Sequence, residues 1–229
     1  MEMAKLTQRF RVLMAEVEKV YMTNTRVGYL AAAEMAKEAS SVADLIGGAG
    51  GAFRRSDADQ GAANCLTRVG DMTAAARAAC SSLWAARVSG NRTKIVMVLA
   101  MRSTMAQKAP NEMAQAEKES REQERRSGSR SYGGLDLSKE GRVRLPTTPD
   151  ALVLLSLAYN EAALAICDSA LAAAGGRDSP AAADERIVPS LSVEAEARGC
   201  PGVCLHELGD RERSLELVRQ AVVLMRLAV

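Results

Sequence analysis

The chain has 229 residues, of which 48% are hydrophobic, 25% are charged and only 3% are aromatic. Its formal net charge of +2 excludes a strong whole-molecule field that would attract nucleic acid or an anionic membrane. Alanine, leucine, methionine, glutamate and arginine favour helices, whereas strands prefer β-branched and aromatic residues. The composition therefore predicts an all-α protein whose small alanine side chains let helices approach closely.

The cysteines and the hydropathy pattern bear on where the protein is found. Five cysteines are an odd number in a chain long enough to form a core without disulfides, so we expect reduced thiols in an intracellular protein. The most apolar stretch, residues 151–174, is interrupted by Asn160, Glu161 and Asp168 and does not predict a membrane-spanning helix. The N-terminus does not resemble a signal peptide, and we expect a cytoplasmic protein.

Two helices are predicted before a glycine-rich stretch. The first covers residues 3–23, where a heptad-like seam is formed by Leu6, Phe10, Leu13, Val17 and Val20. The second runs from Arg26 to Ile46 and should end at Gly47-Gly48. The segment Gly47–Arg55, GGAGGAFRR, is interpreted as a flexible connection. A phosphate-binding loop is the alternative, but no strand precedes this segment and no Lys-Ser/Thr follows it.

A third helix is predicted from Ser56 to Ser89. Its start resembles a capping box, because Asp59 follows Ser56 by three residues. Trp84, the only tryptophan, lies near its end and is either a packing residue of the core or a hot spot of an interface. Gly90-Asn91 should terminate the helix.

The next predicted helix covers residues 93–125. Pro110 should kink or split it, because proline removes a backbone donor and clashes with the preceding turn. The second half, AEKESREQERR, is polar on every face, so we expect it to be solvated or frayed. It leads into a stretch rich in glycine and serine, which marks the main boundary of the chain.

The predicted organisation therefore has three parts. Residues 1–126 form an N-terminal helical bundle, 127–147 a flexible linker, and 148–229 a C-terminal helical hairpin region. The fold class is all-α, with antiparallel helical bundles that are either two sub-bundles or one shared core.

The C-terminal region is organised around a central helix from Thr148 to Gly176. Thr148 can cap it, and the two glycines at 175–176 can end it. A short helix over residues 191–198 should precede a loop, GCPGVC. Asp210 can cap a last helix that runs to Val229. One face of this last helix carries Leu215, Val218, Val222 and Met225. This face is too apolar for water, so the last helix should pack along the central one.

The two C-terminal helices have small residues at their contact points and resemble tetratricopeptide or microtubule-interacting-and-transport (MIT) hairpins. The stretch ALVLLSLAYNEAALAICDSALAAAGG, with Ala-Leu-Ala-Ile-Cys at Ala163–Cys167, resembles a helix of the tandem MIT-like C-terminal region of autophagy-initiating kinases. The match covers this one helix, and neither a kinase motif nor a 34-residue repeat occurs elsewhere. The resemblance implies a groove between helices that binds a partner peptide.

Cys200, Cys204 and His206 form the most suggestive cluster for chemistry. Thiolate and imidazole are ligands that zinc prefers, but the pattern supplies no fourth ligand. Zinc binding, a redox-active thiol pair and incidental thiols in a loop are the three interpretations, and we assign no metal. A chain with one histidine lacks the usual nucleophilic and paired-histidine motifs. We therefore predict neither enzyme activity nor a cofactor.

The function predicted from these patterns is a non-enzymatic interaction or scaffold module, a subunit of a larger intracellular assembly. It would recognise protein partners through grooves between helices and could form homo- or hetero-oligomers. The candidate partner-binding residues are Leu154, Leu157, Leu217, Leu224 and Trp84. One alternative is a nucleic-acid-associated protein that uses Arg121–Arg130, although acidic residues nearly balance the basic ones there. The other is a small Cys/His metal-binding protein.

Overall fold

The computed structural model describes residues 2–127, 143, 154–184, 186–207 and 210–228. Every regular element in these ranges is helical, which confirms the all-α prediction. The α-helices of the described residues are α1 Glu2–Tyr21, α2 Arg26–Ile46, α3 Gly48–Val69, α4 Met72–Ser89, α5 Arg92–Lys108, α6 Pro110–Ser127, α7 Leu155–Ala174, α8 Leu191–Glu207 and α9 Arg211–Leu227. A short 3-10 helix, Pro180–Ala183, follows α7.

The chain divides into two compact units. Unit 1 comprises Met1–Gly90 with Gln115–Ser138, and unit 2 comprises Asn91–Ala114 with Lys139–Val229. This division differs from the predicted boundary, because α5 packs against α7 and α8 and so belongs to unit 2. Apart from Val143 and the end of α6, the predicted linker at 127–147 lies outside the described residues.

Alanine-rich packing holds unit 1 together. Consecutive helices from α1 to α4 pack against one another. On α1, Phe10 and Val17 are buried at two positions of the predicted heptad seam. Phe10 contacts a cluster formed by Ala39, Val42, Ala43 and Ala58. The buried alanines of α2, α3 and α4 are Ala32, Ala33, Ala36, Ala39, Ala43, Ala58, Ala62, Ala63, Ala75, Ala76, Ala79, Ala85 and Ala86.

The interpretation of Gly47–Arg55 as a flexible connection is wrong. The chain turns at Gly47, where φ is +68°, and α3 already begins at Gly48. Gly51 is buried inside α3, and a Cβ there would lie 2.6 Å from the carbonyl oxygen of Ala43. Gly51 therefore allows α2 and α3 to approach closely and does not make the segment flexible.

The predicted third helix is in fact two helices. Gly70 ends α3 with φ +86°, and Asp71 caps α4 by accepting a hydrogen bond from the amide of Ala74 at 3.0 Å. Ser56 and Asp59 lie inside α3 and are buried, so they do not form a capping box. Glycine commonly ends a helix and aspartate commonly caps the next one, so the pair at 70–71 marks this boundary. The continuous apolar pattern across the pair predicted a single helix instead.

Several predicted boundaries are confirmed. The second helix ends at Ile46, Gly90-Asn91 separates α4 from α5, and Pro110 begins α6 after a break at Ala109. In unit 2, Gly175 ends α7 and Asp210 caps α9. The start of the central helix predicted at Thr148 lies outside the described residues, and α7 is described from Leu155 onward.

The last helix packs differently from the prediction. It contacts α8 rather than lying along α7, and its buried residues are the small Ser214 and Ala221. The hydroxyl of Ser214 donates to the carbonyl oxygen of Gly202 at 2.7 Å. A Cβ at Gly202 would lie 2.8 Å from Cγ2 of Val218, so the two helices meet where side chains are smallest. The face of α9 that is buried is therefore the one with the smallest side chains, not the one with the most apolar side chains.

Candidate interaction sites

A cavity of about 270 Å³ opens in unit 1. We call it the Trp84 cavity. Its walls come from α4 and α6, with one side chain from α3. The lining residues are Arg55, Arg77, Cys80, Ser81, Trp84, Ala116, Glu119, Ser120, Gln123 and Glu124.

Helical periodicity explains why these residues share one cavity. On α4 the lining positions are 77, 80, 81 and 84, and on α6 they are 116, 119, 120, 123 and 124. Spacings of three and four place side chains on one face of a helix. The expectation that the segment at 116–126 is solvated or frayed is therefore wrong, because this segment is helical and its Ala116 and Glu117 are buried. The apolar pair at 113 and 116 was the signal in the sequence.

Arg55 lines the Trp84 cavity beside the indole ring. Its guanidinium carbon lies 5.3 Å from the centroid of the Trp84 ring, within the range of a cation–π interaction. The same guanidinium donates to Asp44 at 2.9 Å and to the hydroxyl of Ser81 at 3.3 Å. Its Nε is 3.5 Å from a carboxylate oxygen of Asp59. Arg55 is thus held in place from several sides.

Asp59 is the buried acid behind this arginine. Its carboxylate accepts hydrogen bonds from Ser40 at 2.8 Å and from Ser81 at 2.6 Å. Burial raises the pKa of the Asp59 carboxyl above its ordinary value, and the two hydroxyls and Arg55 only partly offset this effect. The buried Asp59 carboxylate therefore helps to hold Arg55, a lining residue of the cavity, in place.

Two ion pairs border the Trp84 cavity. Arg77 donates to Glu119 at 3.0 Å near the surface, which lowers the pKa of the Glu119 carboxyl. Arg87 donates to Glu124 at 3.1 Å, and these two side chains are only 6% and 13% exposed. Each carboxylate of the lining therefore pairs with an arginine, and the lining has two cationic and two anionic side chains.

The predicted partner-binding residues are distributed over both units. Trp84 is half-buried in unit 1, where it lines the cavity. The four leucines belong to unit 2. Leu154 precedes α7 and is 48% exposed, whereas Leu157 on α7 and Leu217 and Leu224 on α9 are half-buried.

Four exposed apolar side chains of unit 2 lie on a face of α9 next to the one that packs on α8. They are Leu215, Val218, Val222 and Met225, with exposed fractions of 51%, 38%, 42% and 60%. We call this set the α9 stripe. It was predicted to be buried, and that prediction is wrong because α9 packs on α8 through Ser214, Ala221 and one side of Val218, which leaves the four side chains partly exposed. Spacings of three, four and three keep the four side chains on one face.

The cysteine–histidine cluster is described only in part. Cys200 is half-buried and lies in α8, which continues to Glu207 through the segment predicted as a loop. The glycines at 199 and 202 lie against α9, which favours a packed helix over a loop. The side chains of Cys204 and His206 lie outside the described residues. Within the residues that the structure does describe, no group of three or more His, Cys, Asp or Glu could hold a metal ion.

The basic segment Arg121–Arg130 is also described in part. Arg121 donates to the buried carboxylate of Glu117 at 2.8 Å, so this cation is paired inside α6. Arg125 and Arg126 are exposed near the end of the helix, and Arg130 lies outside the described residues.

Comparison with known proteins does not assign a family. No family model matches the chain, and neither the search of curated proteins nor that of solved structures found a similar protein. In the described ranges, no helix has both the length and the apolar character required to cross a bilayer. The Trp84 cavity and the α9 stripe are therefore the two features from which a function can be inferred.

Proposed function

We propose that this protein is a non-enzymatic interaction module, a subunit of a larger assembly, that binds a protein partner at the Trp84 cavity. The observation that supports this proposal is a half-buried tryptophan in a cavity between two helices. Tryptophan and arginine are the residues most enriched at the energetic centres of interfaces. Arg55 and Trp84 supply both, already in contact with each other.

The size of the cavity is suited to one or two side chains of a partner. Pockets for drug-sized ligands have volumes of roughly 300–1,000 Å³, and the Trp84 cavity, at about 270 Å³, is smaller. A partner helix that lies along α4 and α6 would insert one or two side chains beside the indole ring. The ion pair of Arg77 and Glu119 would remain exposed to solvent at the edge of the contact.

The electrostatics of the cavity favour binding over acid–base catalysis. A general acid or base works best when its pKa lies near neutral pH. Arg77 instead lowers the pKa of the Glu119 carboxyl, and Glu124 is paired with Arg87. The two charges of each sign in the lining cancel. The preferred partner surface is therefore one without a large net charge.

A cavity-filling substitution tests this proposal. Ser120 lies on the α6 wall, and Ser120→Arg should block entry to the cavity. Ser41→Arg, on an exposed position of α2, is the matched control. Both variants and the wild type are used as baits in lysate with quantitative mass spectrometry, and circular dichroism checks that each variant folds. We expect a protein partner that is retained by wild type and Ser41→Arg and lost from Ser120→Arg.

Direct binding then checks the location. Trp84 is the only tryptophan in the chain, so its fluorescence reports occupancy of the cavity. Titration with the purified partner, or with its binding peptide, should change the emission of wild type and not that of Ser120→Arg. Partners that bind both variants equally would contradict the proposal. So would nucleic acid that co-purifies and dissociates steeply with salt, or stoichiometric zinc in the purified protein.

A further inference from the structure

The α9 stripe is an apolar surface that unit 2 leaves open to solvent. Its four large side chains are each between 38% and 60% exposed, and they follow one line along the helix. Soluble proteins rarely expose contiguous apolar surface without a use for it. The spacing of three, four and three is also the spacing by which paired helices interdigitate.

We infer that the α9 stripe is a self-association surface, on which the α9 helices of two copies pair antiparallel about a twofold axis near Gln220. This inference goes beyond the proposed function, because it concerns a different surface and a second copy of this chain. The twofold arrangement sets Leu215 against Met225 of the second copy and Val218 against Val222 of the second copy. Every large side chain of the stripe then has a partner.

Charge complementarity along one border of the stripe favours this arrangement. Glu212, Arg219 and Arg226 are spaced by seven residues, so they form one row beside the stripe. Antiparallel pairing brings Glu212 of each copy beside Arg226 of the other. Two attractive pairs therefore flank the axis, where Arg219 lies beside Arg219 of the second copy. In the described part of the chain, the side chains of Glu212 and Arg226 make no hydrogen bond or ion pair.

The other border of the stripe rules against parallel pairing. There Ser214 and Ala221 are buried, and α9 packs against α8. Parallel coiled coils gain specificity from charged residues on opposite borders, and this border provides none. An antiparallel pair uses the charged border alone. It also places the positive end of each helix dipole beside the negative end of the other.

The charges favour a second copy over a lipid surface. An amphipathic helix on an anionic membrane carries basic residues along its polar face, whereas α9 exposes Glu212 and Glu216 among its arginines. One helix stripe covers less than the roughly 800 Å² per partner of a standard interface. We therefore expect a reversible dimer with a dissociation constant of about 1–100 µM.

The test uses the purified full chain alone, so it does not depend on finding a partner for the Trp84 cavity. Sedimentation equilibrium from about 1 to 200 µM should show mass rising from one chain toward two. Val222→Glu, at the centre of the stripe, should keep the protein monomeric over this range. Val27→Glu is the matched control, because Val27 is 78% exposed on α2 in unit 1. It should dimerise as wild type does.

Charge reversal tests the antiparallel geometry. Glu212→Arg or Arg226→Glu alone replaces two attractive pairs with repulsive ones and should weaken the dimer about 3- to 30-fold at low salt. The double variant restores opposite charges and should recover the wild-type dissociation constant. Because Glu212 and Arg226 lie in the first and last turns of α9, circular dichroism of each variant checks that the helix content is unchanged.

Three outcomes would overturn the inference. The first is a protein that stays monomeric at every concentration. The second is a dimer that Val222→Glu does not weaken, or whose single charge variants are not rescued by the double variant. The third is a monomer whose Val222→Glu variant loses binding to vesicles of phosphatidylcholine with phosphatidylserine, since this would assign the stripe to lipid.

Discussion

Two kinds of contact between helices stand out, one in each unit. In unit 1, contacts between helices are made by alanines and by short hydroxyl side chains, as in the mutual hydrogen bonds of Ser56 and Ser82. In unit 2, one long charged side chain joins three helices. Arg198 of α8 donates to Asp168 of α7, to Gln220 of α9 and to Glu194 on its own helix. The same all-α composition thus supports two kinds of contact.

The kind of contact determines which substitutions destabilise it. Where backbones approach through small residues, little space remains, and an added methyl group must displace the backbone. Where charged side chains are buried, the free energy depends on every partner being present, because an unpaired charge is expensive to desolvate. The α2–α3 contact of unit 1 should therefore be sensitive to added atoms, and the contacts of Arg198 in unit 2 to lost charges.

Removal of a buried carboxylate should give the largest effect. Glu194 is only 3% exposed and accepts hydrogen bonds from Arg177 and from two nitrogens of Arg198. We expect Glu194→Ala to lower the free energy of unfolding by about 3 kcal/mol, because both arginines lose their buried partner. Urea unfolding followed by circular dichroism measures the change.

Glu196→Ala is the matched control for this prediction. Glu196 is exposed on the same helix, so its removal should change the free energy of unfolding by less than about 0.5 kcal/mol. Equal effects of the two variants would mean that the charge network of unit 2 contributes no more than surface charges do.

Two adjacent glycines of α3 test the close packing of unit 1. Gly51→Ala places a Cβ 2.6 Å from the carbonyl oxygen of Ala43, and only a backbone shift can relieve that contact. We expect it to destabilise the protein by about 1–3 kcal/mol. Gly50→Ala meets only the flexible end of Arg54, at 3.3 Å. It should stabilise the helix by up to about 1 kcal/mol, because alanine favours helices.

Opposite signs at neighbouring positions would therefore identify Gly51 as a packing residue. Thermal or urea unfolding of both variants gives the comparison. If both alanines stabilise the protein, the distance between α2 and α3 adjusts freely and unit 1 is not limited by space.

Much of the fold could be predicted because helix ends have local causes. Gly47, Pro110 and Asp210 each act on their own backbone or on the next turn, so the sequence alone locates these boundaries. The glycine-rich start of α3 could not be predicted in this way. The reason for Gly51 lies on α2, where the carbonyl of Ala43 comes close.

The candidate sites depended on contacts of the same long-range kind. Periodicity identified the apolar face of α9 but could not say whether that face or the small residues beside it would meet a neighbour. The choice follows from the glycines of α8: Gly202 lies against Ser214 and one side of Val218, and Gly199 lies against Ala221. Trp84 was recognised as a candidate from its residue type. Its cavity, however, needs α6, where the polar composition of residues 116–126 hides a buried face at Ala116 and Glu117.

The last prediction compares the two units at a single acid, and its effect is the smallest. Unit 2 pairs its buried Glu194 with two arginines, whereas Asp59 in unit 1 is held mainly by the hydroxyls of Ser40 and Ser81. Burial raises the pKa of the Asp59 carboxyl, so the folded state keeps its proton to a higher pH than the unfolded chain does. Stability from this group is therefore present below its ordinary pKa and is lost as pH rises through the raised value.

Asp59→Asn removes this titration and keeps a group of the same shape between the two serines. We expect the free energy of unfolding of wild type, relative to the variant, to decrease as pH rises from 3.5 to 7. Urea unfolding of both proteins across this range measures the difference, and the remaining carboxyls cancel because both proteins contain them. Parallel curves would mean that burial and hydrogen bonding balance at Asp59. A rising difference would mean that Arg55 governs this acid, as Arg177 and Arg198 govern Glu194 in unit 2.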